Sequence, residues 1–331
     1  MNSPSTLPVK TTFGVRALNH PLQREFVALF LLVIAFFVST RLSPYFLDPV
    51  YLLDSTSLWI ETAFIALTMT FIIVSGQIDL SVGSTLGLVA GVTGILGTKM
   101  GVPFGLACVL GLLLGALLGA FNGLLVAYGR LPSLSVTLGT FALYRGLAQV
   151  LLGDQSVSGF PDWFAGIDMR HVGPTSLPLA LLLFLLTAMI LGLVLHRTVL
   201  GRRTVSIGLN EAASRYSGIP VARVQVLLFA LSGLMAGFAG LLMSSRLGTA
   251  RWDLGTGTEL DAITAVVLGG TSIFGGRGTI FGTVVAMFLI GVLRTGMGLA
   301  NITAQNQLVV IGALLLFSVV VPNLLSRRRF S

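Results

Sequence analysis

The strongest constraint on this chain is the recurrence of long apolar runs, at approximately 26–42, 58–75, 80–98, 103–128, 134–152, 177–196, 224–245, 260–275, 279–297 and 306–322. Crossing ~30 Å of hydrocarbon takes about 20 helical residues at 1.5 Å each. The expected fold class is therefore an all-α polytopic membrane protein with about ten transmembrane helices. Charged residues are only 10% of the 331, against about 25% in a soluble domain. So few charges cannot cover a water-facing surface of this size. The 40 glycines agree, because small residues let membrane helices approach closely. The run at 260–275 is short and Gly-rich, so it either spans or is re-entrant. Irregular backbone at that depth needs protein or a cavity around it.

Charge between the runs sets the expected topology. With the N-terminus in the cytoplasm and every run crossing, the cytoplasmic segments hold Lys10, Arg16, Arg24, Arg130, Arg197, Arg202, Arg203, Arg215, Arg223, Arg277, Arg327, Arg328 and Arg329. The other side holds Arg41, Lys99, Arg170, Arg246 and Arg251, a split of 13 against 5. This is the positive-inside pattern, and it places both termini in the cytoplasm. The domain expectation is a cytoplasmic N-terminal segment at 1–25, a transmembrane permease domain at 26–322 with a cytoplasmic loop at 197–223, and a cytoplasmic tail at 323–331. Residues 1–25 are polar and no small-residue cleavage site ends the first run, so that run reads as an uncleaved span.

Several function classes fall away on composition. The net charge of +8 would suggest nucleic acid in a soluble protein, but here the basic residues flank apolar runs and set topology. The single cysteine, Cys108, lies within an apolar run, which allows no intrachain disulfide and argues against a metal site. His20, His171 and His196 lie at or beyond run ends, and no Asp/Glu/His chain crosses the membrane, which weakens a proton-coupled carrier. No catalytic residues and no metal ligands are expected. No Gly-rich phosphate loop ending in Lys-Ser/Thr occurs, and no soluble stretch is long enough for a nucleotide-binding domain. If ATP is used, a partner supplies the site.

Three segments stand out. In the loop at 197–223, Asn210 suits an N-cap, Glu211 suits the positive helix end, and Gly218 with Pro220 suits a stop. The spacing predicts a helix of about two turns lying along the membrane surface: either an ordinary connector or a rigid knob that another protein grips. The segment 73–84 (IVSGQIDLSVGS) carries Asp79, which caps the third span or contacts a substrate. The segment 259–278 (ELDAITAVVLGGTSIFGGRG) ends in glycines that permit a tight reversal. The second and third segments echo each other at an offset of 195, with Ile78, Gly83 and Gly87 falling on Ile273, Gly278 and Gly282. Such an echo fits an internal repeat or chance equally. Within the spans, Glu61, Arg145 and Arg294 are ionisable, with Glu259 and Asp261 near one mouth. Such groups pair, face a cavity or snorkel. Phe141, Tyr144 and Arg145 share one helix and make an aromatic-plus-donor face suited to a sugar, or serve structure.

In order and context, the segments 73–84, 207–219 and 259–278 resemble the membrane permease subunits of bacterial ABC importers for monosaccharides, the ribose, xylose, rhamnose and autoinducer-2 group. The similarity runs from about residue 26 to 322. One departure is Gln77, where the family usually has glycine before Ile-Asp-Leu-Ser. The resemblance implies the ABC importer permease fold in the bacterial inner membrane, a second permease subunit, identical or paralogous, and two ABC ATPase subunits that use Mg-ATP. It also implies a periplasmic sugar-binding protein above, and transport by alternating access. By the same resemblance, no cofactor is expected on this chain itself. By resemblance, Asn210, Glu211, Ala212, Ala213, Ser214, Arg215 and Gly218 form the coupling helix that grips the ATPase. Gln77, Asp79, Phe141, Tyr144 and Arg145 are expected along the substrate path. Arg246, Arg251 and Asp253 are expected where the binding protein docks. The rival readings are a branched-chain amino-acid or nucleoside ABC permease, and a stand-alone secondary carrier.

Overall fold

The computed structural model describes residues 22–327. Most of the expected N-terminal segment and the end of the tail, with Lys10, Arg16, Arg328 and Arg329, lie outside the described residues. In chain order the helices are α1 (Leu22–Leu42), α2 (Pro49–Asp54), α3 (Ile60–Val74), α4 (Val82–Gly94), α5 (Phe104–Ala127), α6 (Ser133–Leu152), α7 (Leu179–Arg197), α8 (Val199–Leu209), α9 (Glu211–Tyr216), α10 (Val221–Leu247), α11 (Thr258–Leu268), α12 (Ile280–Leu299) and α13 (Ala304–Arg327). A helix falls on each apolar run of the sequence. By length and apolarity α5, α7, α10 and α12 each qualify singly as membrane spans, and the pair Pro49–Leu58 and Ile60–Val74, bent by 62°, would make a fifth.

The centre of the bundle is α3. All its residues from Ile60 to Val74 are buried, as expected of a helix that is apolar all round. Around it stand α7, α10, α11 and α12. Phe64 meets Phe184 of α7 and Phe238 of α10 edge-on, with centroids 5.7 and 4.9 Å apart. The Thr70 and Thr283 hydroxyls lie 2.8 Å apart and tie α3 to α12. The 27-residue α10 is the longest helix among the described residues, about 40 Å at 1.5 Å per residue. It packs on α5 through facing glycines: a Cβ on Gly115 would lie 2.5 Å from the Gly233 carbonyl oxygen, and one on Gly119 would collide with that of Phe229. The two backbones therefore touch directly, which dispersion between closely approaching helices rewards. Away from α10, Leu106, Leu110, Leu113, Leu117, Phe121 and Leu124 of α5 are exposed, an apolar stripe suited to lipid.

The run at 260–275 resolves into α11, 11 residues long, and a Gly-rich turn. At about 16 Å α11 covers half of a hydrocarbon slab. Residues 252–258 lie against α4 just before it: Cβ atoms on Gly83 and Gly87 would meet the carbonyl oxygens of Gly255 and Leu254 at 2.6 and 2.9 Å. The irregular chain before α11 is thus enclosed by protein, the condition under which it is tolerated at depth.

The structure adds one feature to the all-α expectation. Val157–Ser158 (β1) pairs antiparallel with Thr249–Ala250 (β2). At this ladder end of the bundle the loop from 153 to 170 folds onto the last turn of α10, where Gly166 N–H donates to Ser245 O at 2.9 Å and Ile167 N–H to the Ser245 hydroxyl at 3.0 Å. Phe104, Phe160 and Phe164 cluster beneath it. The ladder supplies partners to backbone that no helix serves.

Candidate functional site

At the opposite end lies α9. Asn210 is its N-cap, with the side-chain oxygen accepting the Ala213 N–H at 2.9 Å. Glu211 and Arg215 pair at 2.7 Å one turn apart. Gly218 has φ 80°, the left-handed conformation that ends the helix. Ser214 is buried, while Ala212, Ala213, Arg215 and Gly218 are exposed. Cap, pair and stop make α9 self-contained, so it presents a fixed outer face.

Sequence reasoning missed the most exposed feature of that face. Tyr216 is 94% exposed, and Phe274 in the Gly-rich turn after α11 is 91% exposed. Leu209 is also exposed and lies beside that turn, in contact range of Gly276. Large apolar side chains held in the open at one end of a bundle mark an interaction surface. A tyrosine within a charged loop and a phenylalanine among glycines were the only sequence signals.

The three segments that stand out in the sequence meet directly behind α9. Gly276 N–H donates to Val74 O at 2.8 Å. A Cβ on Gly208 would collide with that same carbonyl oxygen, and one on Gly275 would lie 2.9 Å from Cα of Gly76. The end of α3, the end of α8 and the turn after α11 thus touch backbone to backbone. Gly76 and Gly275 have φ 80° and 84°, so a side chain at either would be strained, and at Gly275 it would also collide.

The path residues expected from the sequence divide into two groups. Asp79 and Tyr144 are buried and belong to one hydrogen-bonded network. Asp79 Oδ1 accepts from the Ser81 N–H and hydroxyl at 3.0 and 2.7 Å, and Oδ2 accepts from the Ser232 hydroxyl at 2.9 Å. Asn122 Nδ2 donates to the Ser81 hydroxyl at 2.8 Å, and the Tyr144 hydroxyl lies 3.3 Å from Asn122 Oδ1 and 3.0 Å from Leu118 O. The network joins α5, α6 and α10 to the start of α4. A buried carboxylate with this many donors holds elements together. Asn122, a lone amide in an apolar run, was its overlooked member. Gln77, Phe141 and Arg145 are partly exposed. Arg145 donates to the carbonyls of Trp252 and Leu254 at 2.6 and 2.7 Å and so pins the chain leading into α11. Its guanidinium carbon is 6.0 Å from the centre of the Phe141 ring. Gln77 faces the other way, into a cleft beside Glu211 and Arg215.

Two ion pairs form among the charges within the bundle, while Arg145 bonds backbone carbonyls and Glu259 accepts from the Gly257 N–H. Glu61 bonds Arg246 at 2.8 Å, and Asp261 bonds Arg294 at 2.7 Å. Arg246 is therefore engaged within the bundle, with its side chain 18% exposed. Arg251 and Asp253 form a two-bond pair at 3.0 and 2.9 Å on the surface near the ladder. Among the described residues no cluster of His, Cys, Asp and Glu is placed to hold a metal ion.

A helical bundle with a wholly buried central helix, lipid-suited outer stripes, paired intramembrane charges and one firmly built terminal knob defines a polytopic membrane permease. Comparison with known proteins specifies it further. Residues 51–319 match the family model described as branched-chain amino acid transport system / permease component, and the chain belongs to this permease family. It is 41% identical over 302 residues to the autoinducer 2 import system permease protein LsrD of Photorhabdus laumondii, covering 89% of this chain and 90% of that one. It is 40% identical over 296 residues to the ribose import permease protein RbsC of Bacillus subtilis, with 89% and 90% covered. To LsrD of Escherichia coli K12 it is 41% identical over 296 residues, with 88% and 89% covered. No solved structure matches the chain.

Proposed function

We propose that this chain is the membrane-spanning permease subunit of an ATP-driven importer that carries a monosaccharide or similar small sugar across the bacterial inner membrane. The family description names branched-chain amino acids, whereas the relatives at 40–41% identity are named for ribose and autoinducer 2. Those names favour the small-sugar reading. The chain works as a transport subunit, and ATP with magnesium is consumed on ATPase partners. A second permease copy or paralogue completes the path, and a periplasmic sugar-binding protein delivers the substrate near Arg251 and Asp253. Gln77, Phe141 and Arg145 lie along the path, while Asp79 and Tyr144 hold its walls.

The observation that carries this reading is the union of a self-contained α9 with a backbone-to-backbone junction behind it. A partner that displaces α9 pushes, through Gly208, on the end of α3 and on the turn after α11. No flexible side chain intervenes to absorb the motion, so a small displacement shifts a packed element as a body. A carrier working alone has no need of such a lever. Replacing Glu211 by Lys together with Ala213 by Arg leaves membrane insertion intact and abolishes co-purification of the ATPase, along with sugar uptake and stimulation of ATP hydrolysis by the loaded binding protein. Full retention of all three would return α9 to a connector.

The topology that goes with this has ten crossings, both termini and α9 in the cytoplasm, and the ladder end in the periplasm. Charge supports it, with 13 basic residues against 5. Reporter fusions at Ser331 and near Asp162 should read opposite sides of the membrane, and the same side for both ends this topology.

A further inference from the structure

The corner between α7 and α8 carries an unbalanced charge at the end of a membrane span. α7 qualifies as a span from Leu179 to Arg197, so Arg197 sits where that span leaves the hydrocarbon. Leu186, Met189, Leu193 and Arg197 are all exposed, and their three- and four-residue spacing puts them on one face. An apolar stripe therefore ends in a cation. The corner itself is firmly built. The Thr198 hydroxyl donates to Val194 O at 2.7 Å and accepts from the Gly201 N–H at 3.4 Å. A Cβ on Gly201 would collide with the Leu195 carbonyl oxygen, so α8 turns off directly against α7. It buries Gly201, Thr204 and Ile207 and exposes Val199, Arg202 and Arg203. Arg202 Nη1 donates to Arg197 O at 3.4 Å, which holds a second guanidinium beside the end of the stripe. That bond uses one of its five donors. No Asp or Glu occurs between Leu179 and Leu209. Among the described residues Arg197, Arg202 and Arg203 enter no ion pair. The negative end of α7 accounts for one such cation, not for three.

Position selects the ligand. Exposed apolar side chains followed by clustered guanidinium groups match the order of a lipid's acyl chain and its phosphate. A free anion would leave the stripe unused, and a water-soluble partner could not reach it within the span. A zwitterionic headgroup would bring a further cation to three already present. We infer that the corner binds an anionic phospholipid, with its phosphate on Arg197 and Arg202 and a chain along Leu193, Met189 and Leu186. The arginine fork suits phosphate oxygens. The inference requires only that α7 spans a membrane, and is independent of what the protein carries. Because α8 runs from this corner to the junction at Gly208, a lipid held here braces the mounting of α9.

The test uses the purified full-length permease in neutral detergent micelles, stripped of lipid and then titrated. Dioleoyl phosphatidylglycerol should raise the melting temperature by mass action, and dioleoyl phosphatidylcholine should not. Arg197→Gln combined with Arg202→Gln should need about thirtyfold more phosphatidylglycerol for half the rise. Arg202→Gln alone, which leaves the end of the span untouched, should need about fivefold more. Arg223→Gln, which removes an exposed arginine at the start of α10, should match the native protein. An equal rise with phosphatidylcholine, or full phosphatidylglycerol sensitivity in both corner variants, overturns the site. An equal loss in Arg223→Gln reduces the effect to general surface charge and also overturns it. A matching rise with inorganic phosphate at the same concentration would assign the corner to a free anion. Loss of ATPase co-purification by Arg202→Gln in phosphatidylcholine nanodiscs would assign it to a protein partner. Either result overturns the lipid.

Discussion

Two Glu–Arg pairs of nearly equal length serve opposite ends of this molecule. Glu61 and Arg246 lie 2.8 Å apart with side chains 1% and 18% exposed; Glu211 and Arg215 lie 2.7 Å apart with 40% and 43% exposed. The first pair joins the start of α3 to the last turn of α10, across 185 residues of sequence. There the alternative to pairing is a charge left in a low-dielectric interior. The second joins neighbouring turns of one short helix in water, where screening and side-chain entropy cancel most of the attraction. Equal geometry therefore carries unequal energy: the buried pair holds the bundle, and the exposed pair shapes a surface for something else to read.

Removing the buried carboxylate should give the largest effect on the permease itself. Glu61→Ala breaks the buried pair and is expected to destabilise the fold by about 3 kcal/mol, the low end for such a break because Arg246 is partly hydrated. The detergent-solubilised protein should melt earlier by size-exclusion thermal challenge. An unchanged melting profile would show that the two pairs are equivalent after all. Next comes Tyr216→Ala at the exposed end. If Tyr216 anchors the ATPase, its loss weakens docking by about 2 kcal/mol, or roughly thirtyfold in affinity, while the melting temperature of the permease alone stays put. Binding of the ATPase to nanodisc-held permease reads this directly, and unchanged affinity removes Tyr216 from the interface. The smallest effect is reserved for Arg215→Ala, worth at most about 0.5 kcal/mol to folding, because an i, i+4 pair in water contributes no more. A drop in melting as large as that of Glu61→Ala would overturn the contrast between the pairs.

Much of the architecture was legible in residue order. The helix positions followed the apolar runs because, in lipid, backbone must close its hydrogen bonds within the segment. The limits of α9 followed from Asn210 and Gly218, since caps are local chemistry. Of the fates open to intramembrane charges (pairing, a cavity or snorkelling), Glu61 and Arg294 take pairing, although nothing in the sequence names Arg246 and Asp261 as their partners. Nothing local distinguishes a cation that faces a docking protein from one that reaches a carboxylate 185 positions away. For the same reason Arg246 read as a surface residue until its partner was seen.

What the sequence determined alone is the class of molecule, its helices and its one capped knob, because hydropathy, helix signals and charge bias act over a few turns. Tertiary structure alone decided which groups work together. It joined Asp79 to Tyr144 through Ser81 and Asn122, where the sequence alone left each open between a structural role and a substrate contact. It turned Gln77 toward Glu211 and away from Arg145. It set Gly76, Gly208 and Gly275 in contact, which no spacing announces. Local propensity depends on neighbours in the chain, whereas a network or a lever depends on which distant backbones can approach closely, and that is settled only when the whole bundle packs.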